Sequence, residues 1–202
     1  MNKNTVKKEN RIYGFKTNYH ILDIFLSNIG AIKNDKKTHL VSEAFKERIM
    51  LAVTQVNGCR MCSYFHSKEA LKKGMSAQQI QSLLAGDIKN VPEDEAPALI
   101  FAQHYAETIG QYDRDAWNQI VRTYGSDKAQ TILAYIRVIM VGNAQGNILG
   151  ALKSRIKGQP EPNSSFFMEI SVILLDIFVL PFLMIKVFIL LPIKKSLNKK
   201  ML

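Results

Sequence analysis

Residues 42–73 read SEAFKERIMLAVTQVNGCRMCSYFHSKEALKK, and this stretch decides the fold. Ser42 is a fitting helix N-cap, because its hydroxyl can accept a bond from a free backbone N–H of the first turn. Ala44, Phe45, Ile49, Ala52, Val53 and Val56 then recur at helical spacing as a stripe to be buried. Asn57 and Gly58 tolerate left-handed backbone and stop the helix. A second helix opens at once with the C-x-x-C segment Cys59 to Cys62, runs to Lys73 and ends at Gly74. Two helices joined by so short a turn run antiparallel, so residues of one face residues of the other.

Outward from this hairpin the pattern stays helical. A helix over about residues 18–32 presents Ile21, Leu22, Ile24, Phe25 and Ile29, with Gly30 and the polar residues 33–37 as its break. Ser76 caps a short helix to Leu84, ended by Gly86. Pro92 introduces a helix over about residues 95–109, Asp113 caps one to about Tyr124, and Ser126 caps a long one to about Lys153. No segment alternates with period two, so the expected class is all-α. The long helix carries Gly142, Ala144, Gly146 and Gly150, small residues that let another helix or a second copy approach closely. Asn143 and Asn147 lie in the same stretch and could instead face a pocket.

The chain has 202 residues, 47% hydrophobic and 22% charged, which suits a single globular domain with a substantial core. Its net charge of +10 is the unusual property. The lysines concentrate at the ends, with Lys3, Lys7, Lys8 and Lys16 at one and Lys194, Lys195, Lys199 and Lys200 at the other. Such a balance suits anionic lipid or an acidic partner. No basic stretch is interleaved with stacking aromatic residues, so no nucleic-acid partner is expected. The first eleven residues are basic without an apolar run behind them, which is not the pattern of a secretory signal. The expected compartment is the cytoplasm, where a C-x-x-C pair is reactive or metal-binding rather than a static staple.

Cys59, Cys62 and His66 are spaced i, i+3, i+7, so all three can share one helix face. At the helix N-terminus the thiols meet free backbone N–H groups and the positive end of the dipole, both of which favour thiolate. His66 can take a proton from Cys62 and return it. Glu47, on the antiparallel helix, can orient His66 or relay that proton. A thiolate that attacks a peroxide becomes a sulfenic acid, which a second cysteine converts to a disulfide. An external dithiol then reduces the pair by exchange. The same four side chains also have the composition of a four-ligand zinc set. Taken singly, His66 reads as a packed or surface histidine, Glu47 as a solvated helix residue, and Tyr64 and Phe65 as packing aromatics. His20, His39 and His104 have no defined partners in the pattern and read as surface or satisfied core residues.

Glu47 with the following Arg48-Ile-Met-Leu-Ala-Val, Gly58-Cys59, Cys62, His66 and Ala70-Leu-Lys-Lys-Gly-Met-Ser resembles the carboxymuconolactone decarboxylase superfamily, and within it the alkylhydroperoxidase D-like branch. The resemblance covers residues 45–87 well and residues 96–150 more loosely. It implies an all-helical, alkylhydroperoxidase D-like domain, a homo-oligomer, and no metal or other cofactor. It further implies a thiol-dependent peroxidase or disulfide oxidoreductase with an antioxidant role, acting on a peroxide or disulfide substrate. The electron donor would be a dithiol, thioredoxin-like or a lipoyl protein. Carried across, Cys62 is similar to the peroxidatic cysteine, Cys59 to the resolving and exchange cysteine, and Glu47 and His66 to the proton relay. Met61 departs from the pattern, which often has a histidine just before the second cysteine. Two other readings remain beside this one: a non-redox lyase using Glu47 and His66, and a membrane-associated scaffold with structural or metal-bound cysteines.

The resemblance does not reach the C-terminus. Residues 159–202 read as a linker, with Pro160, Pro162, Asn163 and Ser164, followed by an apolar helical extension of the 1–158 domain. Residues 166–193 are long enough to cross a bilayer, but Glu169, Asp176 and Lys186 interrupt them and Pro181 should kink them. Each central charge costs roughly 2.5–3.5 kcal/mol on insertion scales. A single span would also put the terminal lysines on the far side, against the positive-inside tendency. Attachment to the inner face of the membrane, as an interfacial segment or hairpin, is the expectation from this balance. A cover over the neighbouring core or a subunit interface is the alternative.

Overall fold

The computed structural model describes residues 10–185, and the expectations for Lys186 onward and for Lys3, Lys7 and Lys8 lie outside the described residues. Within them the protein is all-helical: α1 (Phe15–Thr38), α2 (Glu43–Asn57), α3 (Arg60–Lys72), α4 (Ala77–Leu84), α5 (Ala96–Glu107), α6 (Arg114–Tyr124), α7 (Ser126–Ile156) and α8 (Phe166–Ile185). No strand occurs among the described residues.

The local signals that set these bounds are visible as bonds. Ser42 Oγ accepts from Phe45 N–H at 3.1 Å, Asp113 Oδ1 accepts from Ala116 N–H at 2.6 Å, and Ser76 and Gln79 form a reciprocal capping box. Gly58, at φ 69°, ends α2 in the left-handed region and donates its N–H to Thr54 O. Two expectations are corrected. Ser126 is already helical, and Gly125 occupies the N-cap position of α7 without a side-chain cap. The polar residues 33–37 do not break the first helix, which continues to Thr38. Gly30 faces open space, and the buried Asp35 closes the end. Its carboxylate accepts from Leu40 N–H at 2.8 Å, from Val41 N–H at 3.3 Å and from Tyr135 O–H at 2.8 Å.

Helix α7 is the centre of the assembly and packs against α1, α2, α3, α5, α6 and α8. It is apolar and long enough to cross a membrane by composition, but 67% of its most apolar window is buried, as befits a core helix. Helix α2 is enclosed by α3, α4, α5 and α7. Its buried surface is therefore wider than a stripe: Met50, Leu51 and Thr54 are buried together with Ile49, Ala52, Val53 and Val56, whereas Ala44 at the first turn is only partly covered. Arg48 crosses from α2 to the start of α5 and holds Glu95 with contacts of 2.8 and 3.0 Å.

Helix α8 lies along α1 and α7, with Val172 and Leu175 buried and Leu175 against Leu22 and Leu26. The described part of the apolar tail thus covers the neighbouring core on one side. Glu169 is fully enclosed, accepting from Arg155 Nη2 at 2.8 Å, Arg155 Nε at 2.9 Å and Ser164 Oγ at 2.7 Å. The hydrogen-bonded Arg155 guanidinium holds its carboxyl below the usual range, more than burial raises it. A depressed carboxyl pKa contributes stability above the unfolded-state value, and that contribution is lost as pH falls through the folded value. Thermal melts of the wild type and of Glu169→Gln should therefore differ most near neutral pH, with the wild type higher. The gap should close as pH drops through and below the ordinary carboxylate range; a pH-independent gap would contradict the linkage.

Candidate redox site

The site is built at the turn between α2 and α3. Asn57, fully buried, ties this turn to the segment before α1 and to α7. Its Oδ1 accepts from Tyr13 O–H at 2.9 Å, and its Nδ2 donates to Met140 Sδ at 3.2 Å. Its carbonyl accepts from Asn147 Nδ2 at 2.9 Å and from Arg11 N–H at 3.0 Å. Burial raises the Tyr13 phenol above its ordinary pKa, which keeps it a hydrogen-bond donor. Asn147 is therefore a clamp on the turn rather than a pocket residue. Asn143, one helical turn earlier, accepts from Thr54 Oγ1 at 3.0 Å. Its buried Nδ2 has no partner among the described residues.

Past this anchored turn, Cys59 takes the N-cap position of α3 in extended conformation, and its sulfur lies 3.3 Å from Cys62 N–H, which it accepts. Cys59 and Cys62 are joined as a disulfide, with Cα atoms 5.3 Å apart. Cys59 is completely buried and Cys62 nearly so. Cys62 Sγ lies 3.5 Å from Gly142 O on α7, close enough for the reduced thiol to donate to it. Four residues further along α3, His66 Nδ1 meets Glu47 Oε2 at 2.8 Å across the α2–α3 hairpin. Both side chains are shielded, with 14% of His66 and 7% of Glu47 exposed. The structure thus brings Cys59 to Cys62 and His66 to Glu47, and the i, i+4 spacing puts Cys62 and His66 on one face of α3.

The sequence did not show what closes the far side of the disulfide. A Cβ on Gly146 would stand 2.7 Å from Cys59 Sγ, 3.1 Å from Cys62 Sγ and 3.3 Å from Met61 Cε. The absent side chain is what lets the α7 backbone lie against the sulfur atoms. Gly142 has ordinary room, with Ile139 Cδ1 at 3.7 Å, and Gly150 faces open space. The glycine spacing on α7 thus serves one close approach, at Gly146.

Tyr64 and Phe65 are not core packing: Tyr64 is 75% exposed, and Phe65 is exposed with its ring edge-on to His66 at 5.1 Å. With Met61 they form an apolar surface on the outer side of the motif helix. His20, His39 and His104 are exposed and away from the pair. Among the described residues no group of three or more His, Cys, Asp and Glu side chains is arranged to hold a metal ion. A cavity of about 370 Å³ between α5 and α6, lined by Ile100, Phe101, His104 and Asp113 among others, contains none of the four motif residues.

The fold and site together define an all-helical protein with a vicinal cysteine pair at a helix N-terminus and a Glu–His pair beside it. Residues 34–88, from the end of α1 through α2, α3 and α4, match the model of the carboxymuconolactone decarboxylase family. The residues that carried the resemblance, from Phe45 to Asp87, fall inside the matched span. No curated protein and no solved structure matches the chain.

The close approach at Gly146 has a measurable consequence. Gly146→Ala should destabilise the oxidised protein by about 1–3 kcal/mol, because the disulfide is held between α2, α3 and α7 and cannot swing aside. Gly142→Ala, with free room in a helix interior, should be neutral or stabilise by up to about 1 kcal/mol. Denaturant titrations of both variants beside the wild type check this; equal effects at the two positions would refute the packing argument.

Proposed function

We propose that the protein is a thiol-dependent peroxidase or disulfide oxidoreductase of the alkylhydroperoxidase D-like kind. The observation that carries this reading is the Cys59–Cys62 pair at the α3 N-terminus, one turn from a His66 bonded to a shielded Glu47. In the reduced enzyme His66 accepts the Cys62 proton, and Glu47 fixes the imidazole and balances its charge. The Cys62 thiolate attacks one peroxide oxygen; the O–O bond breaks, the alcohol or water leaves with a proton returned by His66, and Cys62 becomes a sulfenic acid. The Cys59 thiol then attacks that sulfur, the disulfide forms and water leaves. A donor dithiol, on a thioredoxin-like or lipoyl protein, restores both thiols and becomes the disulfide. Cys62, less buried than Cys59, is the sulfur nearer to solvent. The exposed Met61, Tyr64 and Phe65 form the surface around it over which a donor protein or a second copy of a homo-oligomer would approach.

The substitution at Met61 favours a second reading within the same chemistry. Without a histidine before the second cysteine, the pair is suited to thiol–disulfide exchange with a protein or small disulfide rather than to fast peroxide reduction.

Peroxide consumption driven by a small dithiol tests the assignment. Cys62→Ser should abolish it, and Cys59→Ser should leave a sulfenic acid at Cys62 that a dimedone-type probe captures. His66→Ala and Glu47→Gln should each slow turnover by about 10²–10⁴-fold if they act in proton transfer. Full turnover in Cys62→Ser would refute the assignment. Activity of wild type on disulfides but not on peroxides would select the second reading.

A further inference from the structure

The two acidic residues of α8 are both turned toward the domain. Glu169 is enclosed by Arg155 and Ser164, and Asp176 accepts from Gln145 Nε2 at 3.1 Å. They share their side of the helix with the buried Val172. The opposite side exposes Phe167, Leu174, Ile177, Phe178, Phe182 and Ile185, with Phe167 83% and Phe182 72% exposed. At 3.6 residues per turn these six fall within a sector of roughly 140° that holds no charged residue. Glu169 and Asp176, two of the charges that count against membrane contact in the sequence, are thus absent from the face that meets solvent.

From this face we infer that α8 is an interfacial membrane-docking helix whose partner is the surface of an anionic phospholipid bilayer. Three observations select that occupant. The chain continues past α8 for seventeen residues, KVFILLPIKKSLNKKML, which add a further apolar run, five lysines and no acidic residue. Apolar surface followed by lysines matches acyl chains beneath anionic headgroups. A second copy would bring the same lysines and the same net charge of +10, so charge opposes pairing of this face with itself.

The second observation sets the depth. Pro181 lies on the exposed side of α8 and has no N–H to give to the carbonyl of Ile177. At the interface water and headgroups can satisfy that oxygen, whereas hydrocarbon cannot. The third is the inward face, already taken by α1 and α7, so lipid cannot surround the helix as it would a span. Burial also raises the Asp176 carboxyl above its usual range, which makes its charge easier to lose beside an acidic surface.

Flotation of the full-length protein with vesicles tests the inference. The wild type should bind vesicles of phosphatidylcholine mixed with phosphatidylglycerol and bind phosphatidylcholine alone much more weakly. Phe178→Ser combined with Phe182→Ser should weaken binding to the anionic vesicles by about tenfold or more, with the thermal melt unchanged because both rings are exposed. Replacing Lys194, Lys195, Lys199 and Lys200 by Gln should remove the preference for anionic vesicles. The inference is overturned if the wild type stays with the protein fraction in both vesicle types or if the double serine variant binds as well as the wild type. It is equally overturned if light scattering shows a soluble oligomer that the double serine variant dissociates, since a second copy would then cover the face.

Discussion

The backbone of α7 reaches the two sulfur atoms because position 146 has no side chain, and the rest of the molecule is arranged around that contact. Helix α7 packs on six of the other seven helices, so its position fixes theirs. The α2–α3 turn is in turn pinned to α7 through Asn57, Met140 and Asn147. Shifting α7 outward by a methyl radius would loosen the cover over Cys59 and the bonds on Asn57 together. Packing and chemistry are therefore one constraint here: the interior that holds the fold is also the wall of the cysteine pair.

The polar groups inside this interior are distributed by the same logic. Four buried carboxylates each have a partner on another element: Asp35 with Tyr135, Glu47 with His66, Glu95 with Arg48, Glu169 with Arg155. Each pair joins two helices or a helix to the segment beside it, so the pairs fix registers that apolar packing alone leaves loose. In the Glu95 pair burial raises the carboxyl pKa, and the Arg48 guanidinium opposes that rise without cancelling it. The Glu47–His66 pair differs in where it lies, one turn along α3 from Cys62.

Much of this was legible in the sequence because it is local. Ser42, Ser76 and Asp113 act within one turn of themselves, and the Asn57-Gly58 stop is a backbone preference. The Cys59, Cys62, His66 and Glu47 set was legible because helical spacing and a short turn put those positions near each other. What was missed acts at a distance. Asp35, inside the polar run, closes the end of α1 by bonding Leu40, Val41 and Tyr135, the last a hundred positions on. Tyr13 and Arg11 reach the turn from the segment before α1, and Asn147 reaches it from α7. Glu169 and Asp176 read as charges that break an apolar tail, and the structure gives each a partner on or beside α7. Tyr64 and Phe65 read as packing because aromatic residues usually are, but α3 turns them outward to keep Cys62 and His66 on the inner face.

The central claim is that Cys59 and Cys62 work as one reversible couple. Its most direct test is a thiol titration of the full-length protein by mass spectrometry across a graded series of dithiol and disulfide buffers. The account predicts a single two-electron transition in which both cysteines gain or lose their thiols together, at one potential and reversibly. Thiols that stay reduced and unreactive in every buffer, or that form separate mixed disulfides at independent potentials, would contradict it.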